Sequence, residues 1–240
     1  MMLTDIHQHL IFGMDDGAQS FDETKEMLKE AVQNGITTVI ATPHAAPGIE
    51  PFDLMKFYEN VNAVKEWIKE SGIGVQLFKG AELFYTDATV RMLNEGRIPS
   101  IAGGRKVLVE FPPMAEYDVL CSAARKLGGA GYSAVFAHVE RYQCLRRLSN
   151  IEKLKDEYQV LMQVNAATIL EPTGIFEKIW LKRALKADLI DIVASDAHNL
   201  GHRNNVLKQS YERILKEYGE EQAQRMYIAN PRSLLPKARM

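Results

Sequence analysis

Imidazoles and carboxylates recur in this chain where short apolar runs give out. In DIHQH, His7 and His9 stand two residues apart, and the two-residue period of a strand turns both toward one side. Two imidazoles so placed can grip one cation. The second run ends in ATPHAAPG with His44, the third leads into GAELF with Glu82, and the fourth carries Glu110 into EFPP. The fifth ends in AHVERY with His138, and the seventh in SDAH with Asp196 and His198. Of six histidines only His202 lies elsewhere, in the loop just past His198. Singly, each residue has a plainer reading: Asp196 could cap a helix, and Glu110 could be a buried acid paired with a lysine. Together, imidazoles mixed with carboxylates and no thiolates make a coherent ligand set for Zn²⁺, Mn²⁺ or Fe²⁺.

Such a set works only if the fold gathers it. Short β-rich runs (LTDIH, TTVIA, VQLFKG, KVLVEF, YSAVFAH, VLMQVNA, LIDIVAS) alternate with longer segments of helical period, which predicts seven strand–helix units. Gly35, Gly72, Gly96 and the pair Gly128-Gly129 mark helix ends. Strict alternation calls for parallel strands and right-handed crossovers, in a doubly wound sheet or a closed barrel. A doubly wound sheet concentrates function at one switch point, usually behind a glycine-rich turn, and no G-x-G-x-x-G follows the first strand here. A barrel instead brings the C-terminal ends of many strands to one mouth, where these side chains are.

Composition sets the remaining bounds. The 240 residues, 46% hydrophobic and 25% charged, show no linker-like shift, so residues 1–240 are expected to form a single domain. A formal charge of -2 with interspersed signs offers no broad basic face, which disfavours nucleic acid despite the local pair Arg146-Arg147. Neither a signal peptide nor a membrane span is legible, so a cytoplasmic protein without membrane insertion is expected. Two cysteines, Cys121 and Cys144, are too few for a disulfide framework and read as reduced thiols.

The motifs DIHQHLIFGMDDG, ATPH, GAEL, VLVEFP, AHVERY and SDAHN, in this order and at these separations, resemble the polymerase-and-histidinol-phosphatase family. Within it they most resemble the bacterial protein-tyrosine phosphatases of capsule and exopolysaccharide clusters. The likeness runs from Asp5 to about Leu235, where IANPRSLL resembles that subgroup's C-terminal helix. It implies an α/β fold, a distorted (β/α)7 TIM-like barrel, with three divalent metal ions, most often Mn²⁺ and sometimes Fe or Zn. It also implies metal-ligand roles for His7, His9, Asp16, His44, Glu82, Glu110, His138, Asp196 and His198. Three such ions against the four carboxylates would leave roughly +2 at the mouth, suited to a phosphate dianion. The chain departs from the family at Gln8, Val139 and Ala45-Ala46, where serine, proline and a basic or histidine residue are common.

A cysteine-dependent tyrosine phosphatase needs C-x5-R, but the residue six positions after Cys121 is Leu127 and that after Cys144 is Asn150. The metal route needs no protein nucleophile, because divalent ions acidify water and clamp phosphoryl oxygens for in-line attack without a phosphoenzyme. Arg141 and Arg203, each just past a candidate histidine, match phosphate-handling arginines of the resembled phosphatases, and a guanidinium fork suits phosphoryl oxygens. His202 is a possible general acid, while Asp15 and Glu140 read as supporting residues. Phe84, Tyr85, Phe111 and Met114 follow candidate ligands and could flank a phenyl ring.

The expected activity is thus hydrolysis of phosphotyrosine on a protein, the expected partner being the C-terminal tail of a bacterial tyrosine kinase. Alternatives are histidinol-phosphate or another small phosphomonoester as substrate, and a non-catalytic metal-binding regulator. An amidohydrolase shares His-x-His on strand one but usually wants a lysine bridge, and Glu82, Glu110 and the Asp196/His198 pair speak against it.

Overall fold

The computed structural model describes residues 2–236. Nine strands run in chain order: β1 Leu3–Gln8, β2 Ile36–Ala41, β3 His44–Ala45, β4 Gln76–Lys79, β5 Glu82–Phe84, β6 Lys106–Glu110, β7 Ser133–Phe136, β8 Leu161–Asn165 and β9 Ile192–Ala194. Every pairing between them is parallel. One ladder orders β1, β2 and β4, the other β3, β5, β6, β7, β8 and β9. Because β3 continues β2 past Thr42-Pro43, and β5 continues β4 past Gly80-Ala81, the nine strands occupy seven positions, the seven units read from the sequence.

The two ladders form one ring. Gly80 N donates to Ala41 O at 2.8 Å and Glu82 N to Pro43 O at 3.1 Å, carrying the pairing across both interruptions. The far seam closes by a single parallel bridge, Gln8 to Ala197, with Asp196 N donating to His7 O and His9 N to Ala197 O, both at 2.9 Å. This one-bridge seam and the two strand breaks are the distortion of the (β/α)7 barrel. Ile6, Ile40, Leu108, Val135 and Ile192, all buried, fill its interior and form a dry floor under the mouth. A second, larger apolar cluster lies between strands and outer helices.

Local chemistry explains the helix limits. Ser20 caps Phe21–Gln33 by accepting from Glu23 N, and Asp53 caps Leu54–Ser71 by accepting from Lys56 N. Gly72 closes the latter at φ 65°, a left-handed backbone where a side chain is disfavoured. The Gly128-Gly129 stop falls later than expected: the helix Tyr117–Gly129 includes both glycines, and the left-handed residue is Gly131 at φ 80°. IANPRSLL, which starts at Ile228, takes in the end of a π-helical turn, Arg225–Ala229, and a short helix, Asn230–Ser233. Among the described residues no helix is long and apolar enough to cross a membrane.

Candidate metal centre

All nine candidate ligands meet at the C-terminal mouth. Glu82, 1% exposed, is the hub. Its Oε2 lies 3.0 Å from His44 Nδ1, 3.1 Å from His7 Nε2 and 3.3 Å from His9 Nε2, while Oε1 is 2.7 Å from His138 Nε2. Three groups of ligand atoms each converge within 4.8 Å: His9, Asp16, His44 and His198; His7, His9, Glu82 and Asp196; His44, Glu82 and Glu110. Sharing His9, His44 and Glu82 joins them into one centre. His138 falls outside these groups but touches Glu82 and stands 3.5 Å from Glu110 Oε2.

The groups behind the imidazoles decide which nitrogen faces inward. Gln163 Oε1 accepts from the backbone N–H of His138 at 3.0 Å, which fixes the amide's orientation, so His7 Nδ1, 3.2 Å away, must be the donor and its Nε2 carries a lone pair. Asp15 Oδ2 accepts from His9 Nδ1 at 2.7 Å, and the Asp196 carbonyl accepts from His198 Nδ1 at 2.9 Å, with the same consequence for their Nε2 atoms. In its neutral form each of these three imidazoles therefore turns its one lone pair into the centre. Glu82 Oε2 and His198 Nε2 are buried without a hydrogen-bond partner although charged and polar groups surround them. Such atoms are costly unless something else satisfies them, and a cation fits that requirement as well as the donor chemistry does.

Protonation follows the same balance. Burial opposes charge on His9, but Asp15 and Glu82 override it and raise its pKa to about 9. Desolvation likewise opposes charge on half-buried His44, yet Glu110 and Glu82 raise it to about 11, and the same two acids raise buried His138 to about 9. Burial pushes Glu82 and Asp196 up, yet the facing imidazoles hold both well below the usual carboxylate range, His7 first among them. His198 goes the other way, to about 4, through burial and repulsion from His9 and Arg203.

Supporting contacts reach far along the chain. Asp15, read from sequence as a supporting residue, orients His9, accepts from His44 N at 2.9 Å and is lowered to about 2, its burial outweighed by His9. Gln163 and Asn165 were not legible as site residues. Gln163 Nε2 donates to Asn165 Oδ1 at 2.9 Å, and Asn165 Nδ2 donates to Asp196 Oδ2 at 2.7 Å. Their one signal in the sequence is two amides at alternate positions of an apolar strand, QVN. Asp5 ties the seam by accepting from Ser195 N, Ser195 Oγ and Asn205 Nδ2. His138 and Asp196 hold left-handed backbones at φ 33° and 54°, a cost of about 1–3 kcal/mol each that fixed surroundings must offset.

Gly17 is required for a different reason. A Cβ there would stand 2.0 Å from the His9 carbonyl oxygen and 2.6 Å from His9 Cβ, so no side chain fits without moving a candidate ligand. Gly17→Ala is expected to fold yet lose at least about tenfold in metal affinity, the low end of what disturbing groups behind ligands costs. Metal titration of the purified variant, with wild-type affinity as the contrary outcome, checks this.

The arginines come from two loops to one carboxylate. Arg141 Nη2 donates to Asp196 Oδ2 at 2.9 Å; Arg203 donates from Nη2 to Asp196 Oδ1 at 3.4 Å and from Nη1 to Asp16 Oδ2 at 3.2 Å. Exposed His202 lines a cavity with both. Of the aromatic candidates, Phe111 is buried in core through edge contacts with Phe136 and Tyr142, and half-buried Tyr85 packs on Phe111.

A parallel barrel with imidazoles and carboxylates at its strand ends defines the class of metal-dependent hydrolases. The chain belongs to the family described as capsular polysaccharide synthesis, CpsB/CapC, which matches residues 3–236. It is 32% identical to the tyrosine-protein phosphatase CpsB of Streptococcus pneumoniae, across 97% of this chain and 98% of that protein. Identity to the putative tyrosine-protein phosphatase CapC of Staphylococcus aureus is 30%, across 99% and 93%. A solved chain from work on YwqE of Bacillus subtilis and CpsB of S. pneumoniae, described as unique metal-dependent tyrosine phosphatases, superposes with TM-score 0.88 at 29% identity, covering 97% of this chain and 94% of that one.

Proposed function

We propose that the chain is a metal-dependent protein-tyrosine phosphatase. The observation that carries this reading is the convergence of eight further histidine and carboxylate side chains around Glu82, with two arginines on Asp196 at the edge. Its three overlapping groups suit three divalent ions, with Mn²⁺ as the proposed native metal. His7, His9, Glu82 and Asp196 would hold one ion, Asp16, His44 and His198 another, and Glu82 and Glu110, with His138 beside them, the third, each imidazole serving one ion. Bound there, the ions supply Lewis acidity, acidifying a coordinated water and drawing charge from phosphoryl oxygens.

The chain's own residues do the rest. Gln163, Asp15 and the Asp196 carbonyl hold three imidazoles in the tautomer that accepts a cation. Arg141 and Arg203 present guanidinium forks to a phosphate and stabilise charge developing on it. The proposed substrate is a phosphotyrosyl protein, the C-terminal tail of a bacterial tyrosine kinase governing capsule or exopolysaccharide synthesis. The proposed place of action is the cytoplasm, where the free thiols of Cys121 and Cys144 stay reduced.

The test is metal analysis of fresh protein with para-nitrophenyl phosphate and phosphotyrosyl-peptide turnover before and after chelation. Activity should vanish with the metal and return with Mn²⁺, while Cys121→Ser and Cys144→Ser stay active. Since metal-free His9, His44 and His138 hold protons at neutral pH, ion binding expels protons and should weaken as pH falls. Full activity in metal-free protein, or a clear preference for histidinol phosphate, overturns the assignment.

A further inference from the structure

Of the seven strand positions, β8 alone ends in no candidate ligand. Leu161 joins the barrel floor, so the two-residue period of a strand stands Gln163 and Asn165 above it, toward the mouth. β8 lies between β7, which leads to His138, and β9, which leads to Asp196. The two amides form a chain of fixed polarity across that gap. His138 N can only donate, so Gln163 Oε1 accepts; Gln163 Nε2 then donates to Asn165 Oδ1 at 2.9 Å, and Asn165 Nδ2 to Asp196 Oδ2 at 2.7 Å. The Asn165 backbone is held as well, its N–H donating at 2.9 Å to Oε1 of buried Glu140, which also accepts from Thr168 Oγ1.

Asp196 thereby has two unlike oxygens. Oδ1 faces His7 Nε2 at 3.3 Å and His9 Nε2 at 3.6 Å, within one group of converging ligand atoms. Oδ2 accepts from two donors, Asn165 Nδ2 and, at 2.9 Å, Arg141 Nη2. These donors differ in freedom. Asn165 is 6% exposed and tied at both ends of its amide, whereas the Arg141 side chain is half-exposed and, among the described residues, makes this one hydrogen bond.

We propose that Asn165 is a positioning residue that keeps Asp196 Oδ2 satisfied when Arg141 leaves it for a phosphoryl oxygen of the substrate. This rests on the phosphatase reading above and adds how one arginine is released to the phosphate. A buried carboxylate oxygen stripped of its last donor is costly. Were Arg141 the sole donor to Oδ2, a phosphate would have to compete with Asp196 for the guanidinium and strand that oxygen on winning it. With Asn165 in place one hydrogen bond remains, and Asp196 keeps its orientation, Oδ1 still toward His7 and His9. Gln163 serves the same end one step back, because its Nε2 holds the Asn165 carbonyl and so denies the amide its flipped orientation, in which oxygen would face oxygen.

Calorimetric titration of the metal-loaded protein with inorganic phosphate tests this. Asn165→Leu, branched like asparagine but unable to donate, should keep its metal content and weaken the phosphate Kd about tenfold, equivalent to about 1.4 kcal/mol. In an Arg141→Ala background the same substitution should move that Kd less than about twofold, because no guanidinium is left to release. An asparagine that merely supports the architecture would weaken binding alike in both backgrounds. Should the leucine variant not fold, Asn165→Ala asks less of the packing and carries the same comparison. An unmoved Kd overturns the proposal. So does equal weakening in the two backgrounds, or loss of metal together with phosphate, which would make Asn165 a support of Asp196 as a ligand alone. A parent enzyme that binds no phosphate and hydrolyses no aryl phosphate would instead defeat the functional reading itself.

Discussion

Glu82→Gln should leave a folded protein that binds fewer metal ions and turns over para-nitrophenyl phosphate at least about a hundredfold more slowly, since altering even the groups behind metal ligands costs ~10–100-fold. The substitution preserves shape and removes charge at the one carboxylate that approaches His7, His9, His44 and His138 together. It also puts an N–H₂ donor where two of the three ligand groups need an acceptor. Folding should survive because imidazoles left without their acid can shed protons, and because the apolar floor of Ile6, Ile40 and Leu108 does not depend on the hub. Circular dichroism, metal analysis and steady-state rates on one preparation separate these effects. Wild-type metal content with wild-type turnover would sink the hub role, and loss of the folded signal would move Glu82 from the site into the architecture.

The strand–helix alternation and the cluster of candidate ligands were legible because both depend on local contrast. A histidine or acid at the end of TTVIA or KVLVEF interrupts an apolar run, and such interruptions in six of seven runs of a βα rhythm have few explanations other than a shared mouth. What was not legible is what depends on distant partners. The breaks at Thr42-Pro43 and Gly80-Ala81 look like ends of strands, yet the ladder resumes because the two breaks lie side by side. Gly80 fits where a Cβ would come within 3.1 Å of Ile40 Cγ2 and 3.2 Å of Thr42 Cγ2. Gln163 and Asn165 carry no charge and resemble any polar strand residue until His7, His138 and Asp196 are beside them. The Asp5–Ser195–Asn205 brace joins residues from opposite ends of the chain, so nothing near Asp5 announces it. Phe84, Tyr85, Phe111 and Met114 follow ligands in sequence, but side-chain direction decided their use: Phe111 turned into the core, and Met114 is 69% exposed.

Arg141→Ala and Arg203→Ala should each keep fold and metal content and lose ~10²–10³-fold in kcat/KM, the range for removing one preorganised donor from a developing oxyanion. Both guanidinium groups are partly exposed, at 44% and 33%, so neither is structurally demanded and their removal should little affect stability. Both nevertheless reach the rim of the centre, Arg141 through Asp196 alone and Arg203 through Asp196 and Asp16. Those carboxylates are candidate ligands, so each arginine sits where an ester bound beside a cation would place its phosphoryl oxygens. Arg→Lys should recover only part of the loss, because an ammonium carries the charge without the planar two-donor fork. The separation of kcat from KM assigns the role. A fall in kcat means contact strengthened during phosphoryl transfer, whereas a rise in KM alone means binding of substrate and transition state alike. Phosphotyrosyl peptides should outrun phosphoseryl ones in the parent, since a tyrosyl phosphate stands farther from its backbone than a seryl one and reaches a recessed centre without unfolding the partner. Undiminished turnover in both alanine variants would show that the metals bind the phosphate unaided, and equal turnover of the two peptides would show that the depth of the mouth does not select the tyrosyl ester.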